Sequence, residues 1–409
     1  MKTIGNIKRE NLKNPEYLDY YRANDERLFN GKGDPREVIR DYFAYGGKER
    51  IISGWTGIEN NQLKFRYEHS INVFNIGAYI QNQVDKDFYV TTLYKKNKTQ
   101  YPFSYVWFLT SLAHDLGYVF ETDGELKGKI TIKQRELQYL EPKYHNFFAY
   151  RNMCYRALGI LGNEIGVQRI GQPVQKWYKE FERIKLFYKD DKRGGGKIRY
   201  SNKLFDNYLR YIMHRFNQLD HGIAGGDFFM IMIIKEYNTT FNEAKEYNNL
   251  LPSDYEGFDT CDGLRLQYDQ FEVFRLVRNC IMEHNIFKAS GDYEDVYREF
   301  DLEELIGKKY QKVSYSLCPI LFDLCVADTM EPYKRFKKVL DIVGITKEEL
   351  LDLIYVDFDG NILKVKVDSK LRSLCKNIFA DKDANPCERY IDDLESLPDW
   401  CDIKVEVLE

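Results

Sequence analysis

Six histidines occur in this 409-residue chain, His69, His114, His145, His214, His221 and His284, and their surroundings are uneven. His69 stands in Arg66-Tyr67-Glu68-His69-Ser70, near the start of an expected helix. His114 and Asp115 end the apolar run Leu109-Thr110-Ser111-Leu112-Ala113 and are followed by Leu116-Gly117. His221 opens an apolar segment after Leu219-Asp220, and His284 follows Ile281-Met282-Glu283. Asp328 lies inside Cys325-Val326-Ala327-Asp328-Thr329-Met330. An ionisable side chain against an apolar helix face is costly unless it is paired or bound to a metal. A lone buried His usually satisfies itself on a backbone carbonyl, and a lone buried Asp caps a helix or meets an Arg. Six such residues in five helical contexts would each need a separate partner, whereas one shared divalent-metal site satisfies them together. Mixed imidazole and carboxylate donors suit Mn, Fe, Co, Ni or Zn better than Ca, with Mg also admissible.

These residues require helices to hold them. The periodicity predicts helices over about 67–83, 105–118, 203–216, 223–237, 270–286 and 318–339, the second apolar nearly all round as a buried central helix should be. Residues 15–48 read as two short helices broken by Asn30-Gly31-Lys32-Gly33-Asp34-Pro35. Lys95 to Gln100 reads as a polar separator. Lys192-Arg193-Gly194-Gly195-Gly196-Lys197 is a basic loop, and a solvated connector explains it better than a phosphate cradle, which needs Gly-Lys-Ser/Thr entering a helix. Near the C-terminus, runs 354–358 and 362–367 alternate on either side of Asp359-Gly360-Asn361, a hairpin pattern. A helix near 369–379 and a strand at 403–407 follow.

His69, then Ala113-His114-Asp115-Leu116-Gly117, then Ala327-Asp328 resembles the H…HD…D signature of the HD-domain phosphohydrolase superfamily. The resemblance covers residues 60 to 340 in patches. It implies a mainly α fold: an HD-domain-like helical bundle at 61–343 with insertions at 122–202 and 240–268. An N-terminal helical segment (1–60) precedes it and a small C-terminal α+β appendage (344–409) follows. Members with binuclear sites, such as the HD-GYP and related phosphodiesterases, add two histidines between the HD pair and the last Asp, the places His221 and His284 fill in order. By that similarity His69, His114, Asp115 and Asp328 would hold one metal. Asp115, His221 and His284 would hold a second, with Asp115 bridging. Three departures stand out. His221 follows His114 by 107 residues, so an insertion must loop out. Tyr118 occupies the place three after the Asp where many relatives carry Lys. Neither the Gly-Tyr-Pro motif nor a His three after the Asp is present, so neither cyclic-di-GMP hydrolysis nor the bacterial dNTP triphosphohydrolase pattern is implied.

The resemblance implies hydrolysis of a phosphoester, with two cations activating a shared water as nucleophile and neutralising charge on phosphoryl oxygens; His114 and Asp115 would be central to catalysis. A nucleotide or cyclic nucleotide is the expected substrate, and a single-strand nuclease, as in CRISPR-associated HD proteins, is the alternative within the enzyme class. A non-catalytic nucleotide-binding regulator on an HD scaffold is the alternative outside it. Arg66, Arg215, Lys334 and Arg335 are candidates to meet substrate phosphates. Asp220 and Glu283 could accept imidazole N–H groups. His214 reads as structural, and His145 has no supporting context.

The bulk composition excludes little. Sixty Lys+Arg against 64 Asp+Glu leave a net charge of -4, which gives no global attraction to nucleic acid or anionic membrane. Aromatic residues reach 15%, for which packing is the ordinary reason and base stacking the rarer one. The longest strongly apolar run, Phe228 to Ile234, falls far short of the ~20 residues needed to cross a bilayer. The polar start Met1-Lys2-Thr3-Ile4-Gly5-Asn6 does not read as a secretory signal. Eight cysteines show no Cys-x-x-Cys pair, so a reducing cytoplasm fits best.

Overall fold

A computed structural model describes residues 1–14, 61–94, 97–118, 185–188, 202–216, 218–230, 233, 268–379, 381 and 383–408. The described chain is mostly helical with small sheets. Its helices are α1 (Ile4–Asn11), α2 (Asn61–Val84), α3 (Phe103–Ala113), α4 (Asn202–Phe216), α5 (221–230), α6 (Tyr268–Glu283) and α7 (Glu294–Glu299), then α8 (Pro319–Met330), α9 (Tyr333–Val343), α10 (Lys347–Asp352), α11 (Ser369–Ile378) and α12 (Pro386–Trp400). The strands are β1 (Lys2–Thr3), β2 (Tyr89–Tyr94), β3 (Asn97–Pro102), β4 (Lys185–Tyr188), β5 (Ile354–Asp359), β6 (Ile362–Val367) and β7 (Lys404–Leu408).

The apolar helix α3 is buried along its whole length, and α2, α6 and α8 pack around it. Trp107 locks α3 to α2: its indole N–H donates to the Phe74 carbonyl at 2.9 Å. A continuous apolar cluster joins these helices to Ile4 and Ile7 of α1 and to the C-terminal elements. A smaller cluster under α4 and α5 includes Phe205, Tyr208, Ile223 and Met282.

The C-terminal sheet has the order β1-β5-β6-β7. The hairpin expected at Asp359-Gly360-Asn361 forms β5 and β6, with Gly360 at φ 64 taking the left-handed position a tight turn demands. Ile354, Val356 and Phe358 face the core and alternate with outward residues, as does β6. β7 runs parallel to β6, which requires a crossover, and α11 and α12 supply it. The chain's second and third residues complete the sheet as β1 against β5, an association of the chain's beginning with residues 354–359 that the sequence pattern did not suggest.

Two readings of the sequence are corrected. The single helix expected over 318–339 is two, because Pro332 has no N–H to continue the ladder and α8 stops at Met330. The separator expected at Lys95 to Gln100 is in part strand β3, paired antiparallel with β2; its polar side chains hid it. The helices expected within 15–48 lie outside the described residues. So does most of the expected insertions, apart from 185–188, 202 and 268. Among the described residues no helix is long and apolar enough to cross a membrane.

Candidate metal centre

Three helices far apart in sequence deliver the first donors. His69 lies on α2, His114 is the C-cap of α3 with Asp115 in the turn behind it, and Asp328 is in the last turn of α8. His69 Nε2 lies 3.2 Å from His114 Nε2, 3.0 Å from Asp328 Oδ1 and 3.5 Å from Asp115 Oδ2. His114 Nε2 lies 3.4 Å from Asp115 Oδ1 and 3.6 Å from Asp328 Oδ1. A divalent ion with ligands at about 2.1 Å places neighbouring donors about 3.0 Å apart in octahedral and about 3.4 Å in tetrahedral geometry. The observed spacings, from 3.0 to 3.6 Å, lie in or close to that range.

The hydrogen bonds on the far side of each ring orient the donors. His114 Nδ1 is 2.7 Å from the Ser111 carbonyl and His284 Nδ1 is 2.6 Å from the Ile281 carbonyl, so in both rings Nδ1 carries the proton and Nε2 presents its lone pair. His69 Nδ1 donates to Glu331 Oε2 at 2.6 Å. Asn72 Nδ2 and the Tyr333 backbone N–H also donate to this carboxylate, at 2.9 and 3.0 Å, which fixes it in place. Two imidazole lone pairs therefore face each other across 3.2 Å, an arrangement that needs a cation or a proton between them.

A second cluster shares Asp115. Donor atoms of Asp115, His221 and His284 all lie within 4.8 Å of one another, and His221 Nε2 is 4.0 Å from Asp115 Oδ1. His284 Nε2 is buried and has no hydrogen-bond partner among the described residues. Asp220 positions this cluster: its Oδ1 accepts from Ile223 N–H at 2.8 Å, capping α5 at His221, and its Oδ2 accepts from Asn285 Nδ2 at 2.7 Å. Close backbone approach does the rest. A Cβ at Gly117 would sit 1.9 Å from the His221 carbonyl oxygen, and one at Gly222 would sit 2.9 Å from the Ile281 carbonyl oxygen. Glycine is what lets the turn after Asp115, α5 and α6 meet.

The electrostatics suit cation binding. Burial would raise Asp328, but the Lys334 ammonium foremost holds its carboxyl well below the usual range. Burial, then the neighbouring His221 and His114, push His284 down to about 3, so its ring is neutral at physiological pH. At His69, burial and Lys334 oppose the charged ring, yet Glu331 and Asp328 outweigh them and the net shift is upward. Lys334 Nζ stands 3.1 Å from Asp328 Oδ1 and 3.3 Å from Asp115 Oδ2. Tyr118 stacks on His221 at 4.0 Å between centroids, with Lys334 5.8 Å from the Tyr118 ring centre. These buried His and Asp groups could hold a metal ion, and around His69 the spacings fit and the lone pairs converge.

A cavity of about 720 Å³ opens beside the centre, its wall including Tyr118, His221, His284, Asp328, Lys334 and Arg335. The structure thus gathers His69, His114, Asp115, His221, His284 and Asp328, and sets Lys334 and Arg335 at the cavity. Arg215 is not on that wall; its guanidinium lies over Tyr293. His214 is exposed, with its ring near Phe300. Arg66 lies on α2, and His145 falls outside the described residues. Glu283 is buried on α6. Sequence reasoning missed Glu331, whose signal was a lone Glu between an apolar helix and Pro332. Compared with protein-family models, curated proteins and solved structures, the chain matches none.

Proposed function

We propose that this chain is a metal-dependent phosphohydrolase that cleaves a phosphoester of the nucleotide class. His69, His114, Asp115 and Asp328 would hold one divalent cation, and Asp115, His221 and His284 a second. When bound, such cations supply Lewis acidity, lowering the pKa of water and neutralising charge on phosphoryl oxygens. Asp115 suits a shared role because its two oxygens face different neighbours, Oδ2 towards His69 and Oδ1 towards His114 and His221. Glu331 holds the proton on His69 Nδ1, and the Ser111 and Ile281 carbonyls do so for His114 and His284, so each ring keeps its lone pair directed inward. Lys334 brings a fixed positive charge to the cavity wall, where a phosphoryl oxygen can meet it, in the role left open by Tyr118.

The observation that carries the reading is the convergence of two His/Asp clusters on Asp115 beside a cavity large enough for a nucleotide. Elemental analysis of the purified protein, then turnover of bis-p-nitrophenyl phosphate with added Mn²⁺, tests it. Bound transition metal with Mn²⁺-dependent release of p-nitrophenol is the expected result. Full metal loading without turnover of this ester or of any nucleotide would move the assignment to a binding module.

A further inference from the structure

The cavity continues past the metal-centre residues, and its far wall is of a different character. Helix α9 buries Tyr333, Phe336 and Val339 and turns Lys334, Lys337 and Lys338 to the cavity. Lys334 touches the centre's carboxylates, whereas Lys338 is one turn on, about 6 Å further along the axis. Opposite α9 stands α12, which contributes Arg389. The two helices are fastened together. Arg335 Nε donates to Asp393 at 2.8 Å and Phe336 meets Tyr390 edge-on at 5.6 Å, while the Tyr390 hydroxyl ties α12 to α8 by donating to the Met330 carbonyl at 2.7 Å.

The charges on this wall are unequal in their engagement. Lys334 is committed to Asp115 and Asp328, and Arg335 to Asp393. Lys338 and Arg389 are exposed and make no ion pair or side-chain hydrogen bond among the described residues. Aromatic side chains line the same cavity: Phe379 is half-buried on the wall, and Phe287, 40% exposed, meets Trp400 edge-on at 5.4 Å. Two cations without an ion pair among the described residues, on the wall of a cavity that also carries aromatic side chains, make a receptor for an anionic group attached to an aromatic base.

We infer that the cavity takes a nucleotide bearing at least two phosphoryl groups. The scissile one sits at the His/Asp centre, and Lys338 and Arg389 grip the second, with the base against the Phe379 and Phe287–Trp400 surface. This rests on the phosphohydrolase reading for the scissile group. It adds that α12 and the segment around Phe379 select the substrate. The second phosphoryl belongs either to a polyphosphate chain or to the next phosphodiester of a strand.

Three probes with Mn²⁺ separate the cases: bis-p-nitrophenyl phosphate, with one phosphoryl group; thymidine triphosphate; and 5′-phosphorylated dithymidylate. Lys338→Gln, Arg389→Gln and the double variant are compared with wild type, with metal content as the check on folding. Because a charge-assisted contact is lost, kcat/KM on the preferred two-phosphoryl probe should fall about tenfold per cation beyond any loss on the single-phosphoryl ester, mainly through KM. Loss concentrated on the triphosphate identifies a polyphosphate; loss concentrated on the dinucleotide identifies a strand. Equal effects on all three probes overturn the inference. If wild type hydrolyses none of them, calorimetric titration of the two nucleotides decides. Binding weakened about tenfold by the variants keeps the subsite while the hydrolase reading fails, and absent or unaltered binding overturns the subsite itself.

Discussion

Glu331 holds His69 by a 2.6 Å contact between Oε2 and Nδ1, and the two residues are 262 positions apart. Glu331 sits between α8, which carries Asp328, and α9, which carries Lys334. The break that Pro332 forces into this stretch swings the carboxylate back towards α2, so one interruption of a helix sets the imidazole and places the cavity's first lysine.

Removing that carboxylate should therefore act on the metal rather than on the substrate. Outer hydrogen-bond partners of metal-ligating histidines typically contribute 10–100-fold in affinity or activity. Glu331→Gln keeps the shape but loses the charge, and should weaken metal binding at the His69 cluster by about tenfold while leaving the Asp115–His221–His284 cluster loaded. Competitive titration with a chelating indicator measures this. Unaltered affinity at both clusters would show that Glu331 serves folding alone.

Gly117 makes a sharper case. Its added Cβ would lie 1.9 Å from the His221 carbonyl oxygen, against backbone that cannot rotate away. Gly117→Ala should push α5 outward, cost about 1–3 kcal/mol of stability, and draw His221 from Asp115. Metal stoichiometry should drop while the His69–His114 pair keeps its ion. A variant with wild-type stoichiometry and melting temperature would show that α5 yields without consequence.

The clustering itself was legible because ionisable residues stood in apolar helices, and the types of His69, His114, Asp115, His221, His284 and Asp328 are ones that a shared cation could satisfy. What surrounds it was not. Glu331 looked like one more residue of a continuous helix until Pro332 is taken as a stop. Helix α12 was concealed by Pro386, Pro398 and its acidic residues, although Asn385 caps it from Cys387 N–H at 2.9 Å. Lys338 and Arg389 could not be singled out among 60 basic residues, because only the packing of α9 on α12 places them on one wall. The short strand β1 carries no pattern of its own and is defined by its partner β5.

The shared carboxylate separates two otherwise similar substitutions. Asp115→Ala removes a donor from both clusters and should abolish loading of both, together with hydrolysis of bis-p-nitrophenyl phosphate. His284→Ala removes a donor from one cluster only, so about one equivalent of metal should remain. Elemental analysis after reloading with Mn²⁺ reads the difference. Wild-type metal content in Asp115→Ala would refute the shared carboxylate.

Away from the centre, Glu272 gives a pH signature. It is fully buried on α6, and burial raises its carboxyl from 4.5 to about 7, despite the opposing pull of Arg275, whose Nη2 donates to Oε2 at 2.6 Å. Between those two values the folded chain holds the proton more tightly than the unfolded chain does. Stability from this residue is thus complete below about 4.5 and is lost as pH rises through 7, a span worth about 3 kcal/mol. Glu272→Gln stays neutral throughout and escapes the loss. The variant should exceed wild type in urea-unfolding stability by roughly 1–3 kcal/mol at pH 8, with the gap narrowing to a fraction of that at pH 5. Parallel stability profiles across this range would mean that Glu272 enters the fold already ionised, with Arg275 as sufficient compensation.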